Sequence, residues 1–297
     1  MTEKQSLAAI YAFEGFGPER TSLLVSFFGS ARKTWRASKP DLTNVGLKPN
    51  LVNHFVNHKR QFETSKYFER LRKQNINFVT VNEDCFPANL IGLKGSPLVL
   101  YYKGNIKNID NAVAIVGSRR MTSYGQTVTT RFATKLSKLG IVIVSGLALG
   151  NDAAAHKACL EVGGRGVAVL ASGLDTISPL TNKWIGLELI KKGGAVVSEY
   201  PMGMPPRRSN FAARNRIISG LSKAIIVIEG LRRSGTLYTA SAAAEQGKPL
   251  FAVPGQITSP MSGASHFLLK RGAMMITSAE DVLGELDMKV SKRRKKS

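Results

Sequence analysis

"AVAIVGSRR", residues 112–120, decides the fold. An unbroken apolar run ends in a glycine, and a serine and two arginines follow at once. A strand with one wet face alternates apolar and polar residues, whereas a strand buried on both faces reads as a continuous apolar run. The same signature returns five times downstream: "IVIVSG" (141–146), "GVAVLASG" (166–173), "AVVSE" (195–199), "AIIVIEG" (224–230) and "PLFAVPG" (249–255). Helical patterns fill the gaps, over 125–139, 152–162, 182–192 and 236–247. Buried strands alternating with helices predict an α/β fold, a parallel sheet covered on both faces. Sheets of this kind bind ligands at the C-terminal ends of their strands.

Those ends carry an unusual set of residues. After the first run come Gly117, Ser118, Arg119 and Arg120. "SGLALGNDAAAH" (145–156) follows the second, and "SGLD" with Asn182 and Lys183 follows the third. "SEYP" after the fourth leads into "FAARNRIISG" (211–220). After the fifth, Ser234, Gly235 and Thr236 open a helix. Small residues at a helix start leave backbone N–H groups free, and the helix dipole favours an anion there. On a helix, Arg214, Ile217, Ile218 and Leu221 share one face, while Arg216 points away with Ala212, Ser219 and Gly220. An arginine on an apolar stripe needs an internal carboxylate or an anionic ligand. Glu199 and Glu229, at strand ends, are the candidate internal partners for Arg214 or Arg216.

Upstream, residues 1–105 hold short helical patterns, with strand signal only in "NFVTV" and "PLVLYYKG". In "EGFGPERTSLLVSFFG" (14–29), Pro18 suits a first helical turn. The preceding Gly15 and Gly17 read either as a phosphate-exposing hairpin or as an ordinary helix–helix turn. His54 and His58 lie four apart with no third ligand near, so they read as solvated helix histidines and not as a zinc site. His156, on an alanine-rich helix, reads as a packed structural histidine and not as a catalytic base.

Composition narrows the function. The 297 residues include 42 Lys+Arg against 20 Asp+Glu, a net charge of +22 and a pI near 10.2. Such a surface favours polyanions, nucleic acid before membrane. Aromatic residues are 7%, so charge is expected to dominate over base stacking. Cys85 and Cys159 stand in no metal or redox spacing, which fits a reducing cytoplasm. No signal pattern opens the chain and no apolar run approaches a membrane span. Walker A, G-x-G-x-x-G, H-E-x-x-H and paired-carboxylate patterns are missing, which argues against an NTPase, a standard dinucleotide site, a metalloprotease and a metal-dependent nuclease. Neither a cofactor nor a metal is expected.

Taken in order, "AIVGSRR", "SGLALGNDAAAH", "ASGLD", "SEYPMG", "FAARNRIISGLS", "IEGLRRSGTLYTA", "GKPLFAVPG" and "FLLKRGA" resemble the DNA-processing protein A family, also called Smf. The resemblance spans roughly residues 7–285. It implies a small helical, sterile-alpha-motif-like domain with its junction over 1–105. An extended Rossmann-like, doubly wound, mostly parallel sheet would follow over 106–288; the charge run over 289–297, outside the resemblance, reads by itself as a disordered basic tail. It implies a non-enzymatic mediator that binds and protects single-stranded DNA and loads the RecA recombinase in natural transformation. The implied DNA residues are Gly117, Ser118, Arg119, Lys183, Arg214, Asn215 and Arg216. A homodimer and recombinase surface would fall near His266, Phe267, Leu269 and Met275. This chain has Asn151-Asp152 where the family usually has Ile-Asp, and Ala212 where it usually has proline. A competing reading is a nucleotide sensor or phosphoribohydrolase-like enzyme, because "RRSGTLYTA" is similar to the phosphate loop of that related sheet fold. Glu245 stands too far along the helix to match the glutamate those enzymes use.

Overall fold

The computed structural model describes residues 1–286. The expected basic tail, 289–297, lies outside the described residues. Six helices come first: α1 (Glu3–Tyr11), α2 (Pro18–Phe28), α3 (Ala31–Arg36), α4 (Lys39–Asn44), α5 (Pro49–Gln61) and α6 (Thr64–Lys73). Two strands follow, β1 (Asn77–Thr80) and β2 (Val99–Gly104). The alternating part comprises β3 (Ala112–Val116), α7 (Ser123–Lys138), β4 (Val142–Ser145), α8 (Asn151–Glu161), β5 (Gly166–Val169), α9 (Lys183–Lys191), β6 (Ala195–Ser198) and α10 (Arg208–Leu221). It continues through β7 (Ala224–Val227), α11 (Thr236–Glu245), β8 (Leu250–Ala252), α12 (Gly263–Leu269), β9 (Met274–Met275) and α13 (Ala279–Leu286).

All nine strands form one sheet, in the order β1-β2-β6-β5-β4-β3-β7-β8-β9. From β6 to β9 every pairing is parallel, whereas β1 and β2 join antiparallel at the β6 edge. The sheet therefore draws two strands from the segment ahead of residue 106.

Successive strand residues serve opposite faces, as the two-residue period requires. Val113, Ile115, Ile143, Ile226 and Phe251 pack with α7, α8 and α13. Their neighbours Ala114, Val116, Val142, Val144 and Val227 pack with α10 and α11. None of these ten side chains is more than 4% exposed. Full burial of one such aliphatic side chain contributes about 1.5–3 kcal/mol, which explains why the runs tolerate no polar interruption. In α7 the buried residues Thr129, Phe132, Ala133 and Leu136 make the matching helical stripe. Thr122 caps that helix by accepting from the Gly125 N–H at 2.9 Å.

The N-terminal helices pack on the β1–β2 end. Lys4 pairs with Glu83 at 2.8 Å, Arg207 pairs with Glu14 at 2.6 Å, and the Tyr11 hydroxyl donates to Glu199 at 3.0 Å. His58 departs from the solvated reading. Its ring lies 5.4 Å from Phe13, 5.3 Å from Phe62 and 6.0 Å from Trp35, and a ring nitrogen meets the Ala9 carbonyl at 3.0 Å. Phe13 and Trp35 cover it from two other segments, which helical spacing alone does not reveal, and Phe62 follows four residues on at the end of α5. His54 is exposed as expected. At Gly15 an added Cβ would fall 2.4 Å from the Phe13 ring and 2.7 Å from Leu51. Packing accounts for that glycine, and Arg20 occupies its carbonyl at 2.7 Å. No helix among the described residues is long and apolar enough to cross a membrane.

Candidate nucleic-acid interface

From β3 the chain winds outward through β4, β5 and β6, then returns to the other side of β3 with β7. The loops after β3 and β7 therefore diverge in opposite directions and open a crevice between them. A cavity of about 520 Å³ lies there. Gly117, Ser118, Arg119 and Arg120 border it from the β3 loop, Ser234, Gly235 and Thr236 from the start of α11, and Phe211, Arg214 and Asn215 from α10.

The backbone is drawn in tightly. Gly150 has φ +77°, and a Cβ there would stand 2.1 Å from the Ser118 carbonyl oxygen, so only glycine fits. A Cβ on Gly117 would meet Asn151 at 2.6 Å. Asn151, the departure noted above, is fully buried and donates to Thr129 Oγ1 at 2.8 Å, joining α8 to α7.

Arg214 is 4% exposed and forms the floor. Its guanidinium donates to the carbonyls of Gly146, at 2.8 Å, and Val169, and its Nε donates to Asn215 Oδ1 at 3.3 Å. Burial pulls its pKa down to about 10 against the support of Asp152, so it keeps its charge at neutral pH. Burial also pushes the Asp152 carboxyl up, against the pull of Arg214. Asp152 accepts from the Gly146 N–H at 3.1 Å and the Ala148 N–H at 3.4 Å. The mouth is different: Arg119, Arg120 and Arg208 are exposed. The Arg119 guanidinium sits 4.8 Å from the Phe211 ring centroid, and that of Arg214 sits 5.8 Å from it. Exposed Tyr238 adds a second aromatic face. Four arginines and two aromatics around one groove can neutralise phosphates and stack bases.

Gly117, Ser118, Arg119, Arg214 and Asn215 thus come together as the sequence led one to expect. Arg216 and Lys183 do not. Arg216 leaves α10 on the other side and forms an ion pair with Glu199, in a cleft of about 330 Å³ bordered by the N-terminal residues Tyr11, Phe13 and Glu14. Burial opposes its charge, but Glu199 together with Tyr11 and Tyr200 more than offsets this and its pKa is raised. Lys183 is exposed at the start of α9, near enough to Lys103 to act on its charge, and does not border the groove. Glu229 has a task unrelated to either arginine: it accepts from the Thr122 N–H at 2.8 Å and the Thr122 hydroxyl at 2.6 Å. His156 is fully buried, with its pKa pushed down to about 4 by burial, as a packed neutral imidazole would be. Phe211, Arg208 and Tyr238 escaped the sequence reading, and Asp152 was read only as part of a strand-end loop, without its arginine. Phe211 stands three residues before Arg214, so helical spacing alone could have placed it beside that arginine.

His266, Phe267 and Leu269 are half-buried on α12, and Met275 on β9 is 64% exposed. β9 ends the strand order, so its outer edge has no strand beside it among the described residues.

A family model described as DNA recombination-mediator protein A matches residues 77–287. The chain is 39% identical over 247 residues to protein Smf of Escherichia coli, covering 82% of this chain and 66% of that protein. It is 41% identical over 209 residues to the DNA processing protein DprA of Streptococcus pneumoniae, covering 70% of this chain and 73% of that one. The chain thus spans about two thirds to three quarters of the length of these relatives. Among solved structures, it resembles S. pneumoniae DprA with a TM-score of 0.81 and 33% identity over 97% of this chain and 99% of that chain. DNA processing protein A of Helicobacter pylori, solved for its single-stranded DNA binding mode, gives a TM-score of 0.63 and 32% identity over 72% of this chain and 97% of that chain.

Proposed function

Because the chain belongs to the DNA recombination-mediator protein A family, we propose that it binds single-stranded DNA in the groove between the β3 and β7 loops and delivers it to a RecA-type recombinase. The observation that carries this reading is the groove itself. Charged Arg214 is fixed at its floor, while exposed Arg119, Arg120 and Arg208 ring its mouth beside the Phe211 ring. Phosphate neutralisation releases counterions and supplies most of the affinity, whatever the base sequence. Duplex DNA holds its bases in a stack and cannot offer their faces to Phe211 or Tyr238. Binding therefore needs neither cofactor nor turnover. The functional unit is a homodimer, joined through the α12–β9 segment that leaves Met275 exposed on the sheet's outer edge. Such a pairing places two grooves in one particle.

The test is fluorescence anisotropy of labelled oligo-dT with no added metal or nucleotide, alongside an assay for ribose phosphate released from nucleoside monophosphates. Saturable binding without release supports the mediator. Ribose phosphate release with weak oligonucleotide binding would make this a phosphoribohydrolase.

A further inference from the structure

A second cavity, of about 420 Å³, adjoins the groove across the loops that follow β3 and β4. Residues 117–120 border the groove, and Met121 borders the second cavity. Ala148 and Asp152 face the first, and Leu149, Gly150, Ala153 and Ala154 face the second. The ridge between them is the close contact of Gly150 with the Ser118 and Arg119 carbonyls. Asn182 ties the start of α9 to this ridge, donating to the Leu147 carbonyl at 2.9 Å and the Ala148 carbonyl at 3.1 Å. Beyond it, Trp184 is 50% exposed, and exposed Lys157 of α8 holds its ammonium 5.4 Å from the Trp184 ring. Leu149, Leu180 and Leu187 are also exposed along this face.

Half of Trp184 stays open to solvent beside the Lys157 ammonium. The two together match a single-stranded nucleic acid: the indole offers a face to a base, and the ammonium offers a charge to a neighbouring phosphate. Resting on the single-stranded DNA reading above, we propose that a strand leaving the groove crosses the Gly150 ridge and stacks a base on Trp184, with Lys157 at its phosphate. The α8–α9 face is then an extension of the DNA site, engaged only by strands long enough to cross the ridge.

The protein has two tryptophans, and Trp35 packs edge-on to Phe62 and Phe55 among the N-terminal helices. A Trp35→Phe chain therefore reports Trp184 emission alone. Oligo-dT of about 4 and about 16 nucleotides, a range typical of single-strand sites, is titrated while labelled copies report binding by anisotropy. The longer strand should quench Trp184 and the shorter should not. Trp184→Ala, a surface change, should weaken the longer strand about five-fold or more and leave the shorter unchanged. Normal binding of the longer strand with unaltered emission, and equal affinity for Trp184→Ala, would overturn the inference alone. If Trp184→Ala instead lowers the sedimenting mass with DNA affinity intact, the face is a protein contact and the inference fails. Absence of oligonucleotide binding in every chain removes the proposed function and this inference together.

Discussion

Arg214 and Arg216 stand two residues apart on α10 and serve opposite sides of that helix. Arg214 enters the floor of the strand-end groove, and Arg216 crosses to Glu199 beneath the N-terminal helices. Their two jobs separate in measurement. Arg216→Ala leaves Glu199, 5% exposed, without its cation, and should cost about 3–5 kcal/mol of stability. Replacing both partners, as in Arg216→Met with Glu199→Leu, should recover much of that loss, because no lone charge remains buried. The salt dependence of oligonucleotide binding should be unchanged in every variant that folds. Urea unfolding and salt titrations check the two halves.

Arg119 and Arg208 are expected to behave in the reverse manner. Both are exposed at the groove mouth, so Ala at either position should leave unfolding nearly unaltered. Each loss should shallow the log–log salt slope for single strands by about 0.7, the share of one phosphate contact.

Acid should weaken the fold through His156. Its native pKa is near 4, against 6.5 for a free imidazole. Between those values the unfolded chain takes up a proton that the native chain refuses. The stabilisation is therefore complete above about pH 6.5 and is lost as pH falls towards 4, by up to ~3 kcal/mol. His58, also lowered by burial, acts in the same direction. A His156→Gln chain should show a flatter dependence of unfolding free energy over that window, and an equal slope would reject the assignment.

Met275→Glu tests the proposed dimer. A carboxylate on the exposed edge strand should give monomer by sedimentation, with the groove intact and short oligonucleotides still bound. A dimer of unaltered mass would place the contact elsewhere.

The central strands were legible because burial on both faces writes itself as an uninterrupted apolar run, and β3 to β8 each had one. β9 is two residues long, too short to carry a period. "NFVTV" and "PLVLYYKG" read as strands, but their antiparallel entry into the same sheet is decided by tertiary pairing. The buried stripe of α10 was equally plain, since Arg214 shares it with Ile217, Ile218 and Leu221. What lay across the helix from that stripe was not. Glu199 stood among the candidate partners of Arg216, but nothing local reveals that the N-terminal helices, nearly two hundred residues earlier, cover the pair. Lys183 and Trp184 are neighbours, yet only the packing of α8 on α9 sets Lys157 over the indole.

The groove's role is tested most directly by one titration: oligo-dT against a duplex of equal length, by anisotropy, at several salt concentrations and without metal or nucleotide. The account predicts tighter binding of the single strand, affinity that falls steeply with salt, and a shallower slope in the Arg119→Ala, Arg208→Ala double variant. Equal affinity for both forms, or a double variant with the wild-type slope, would contradict it.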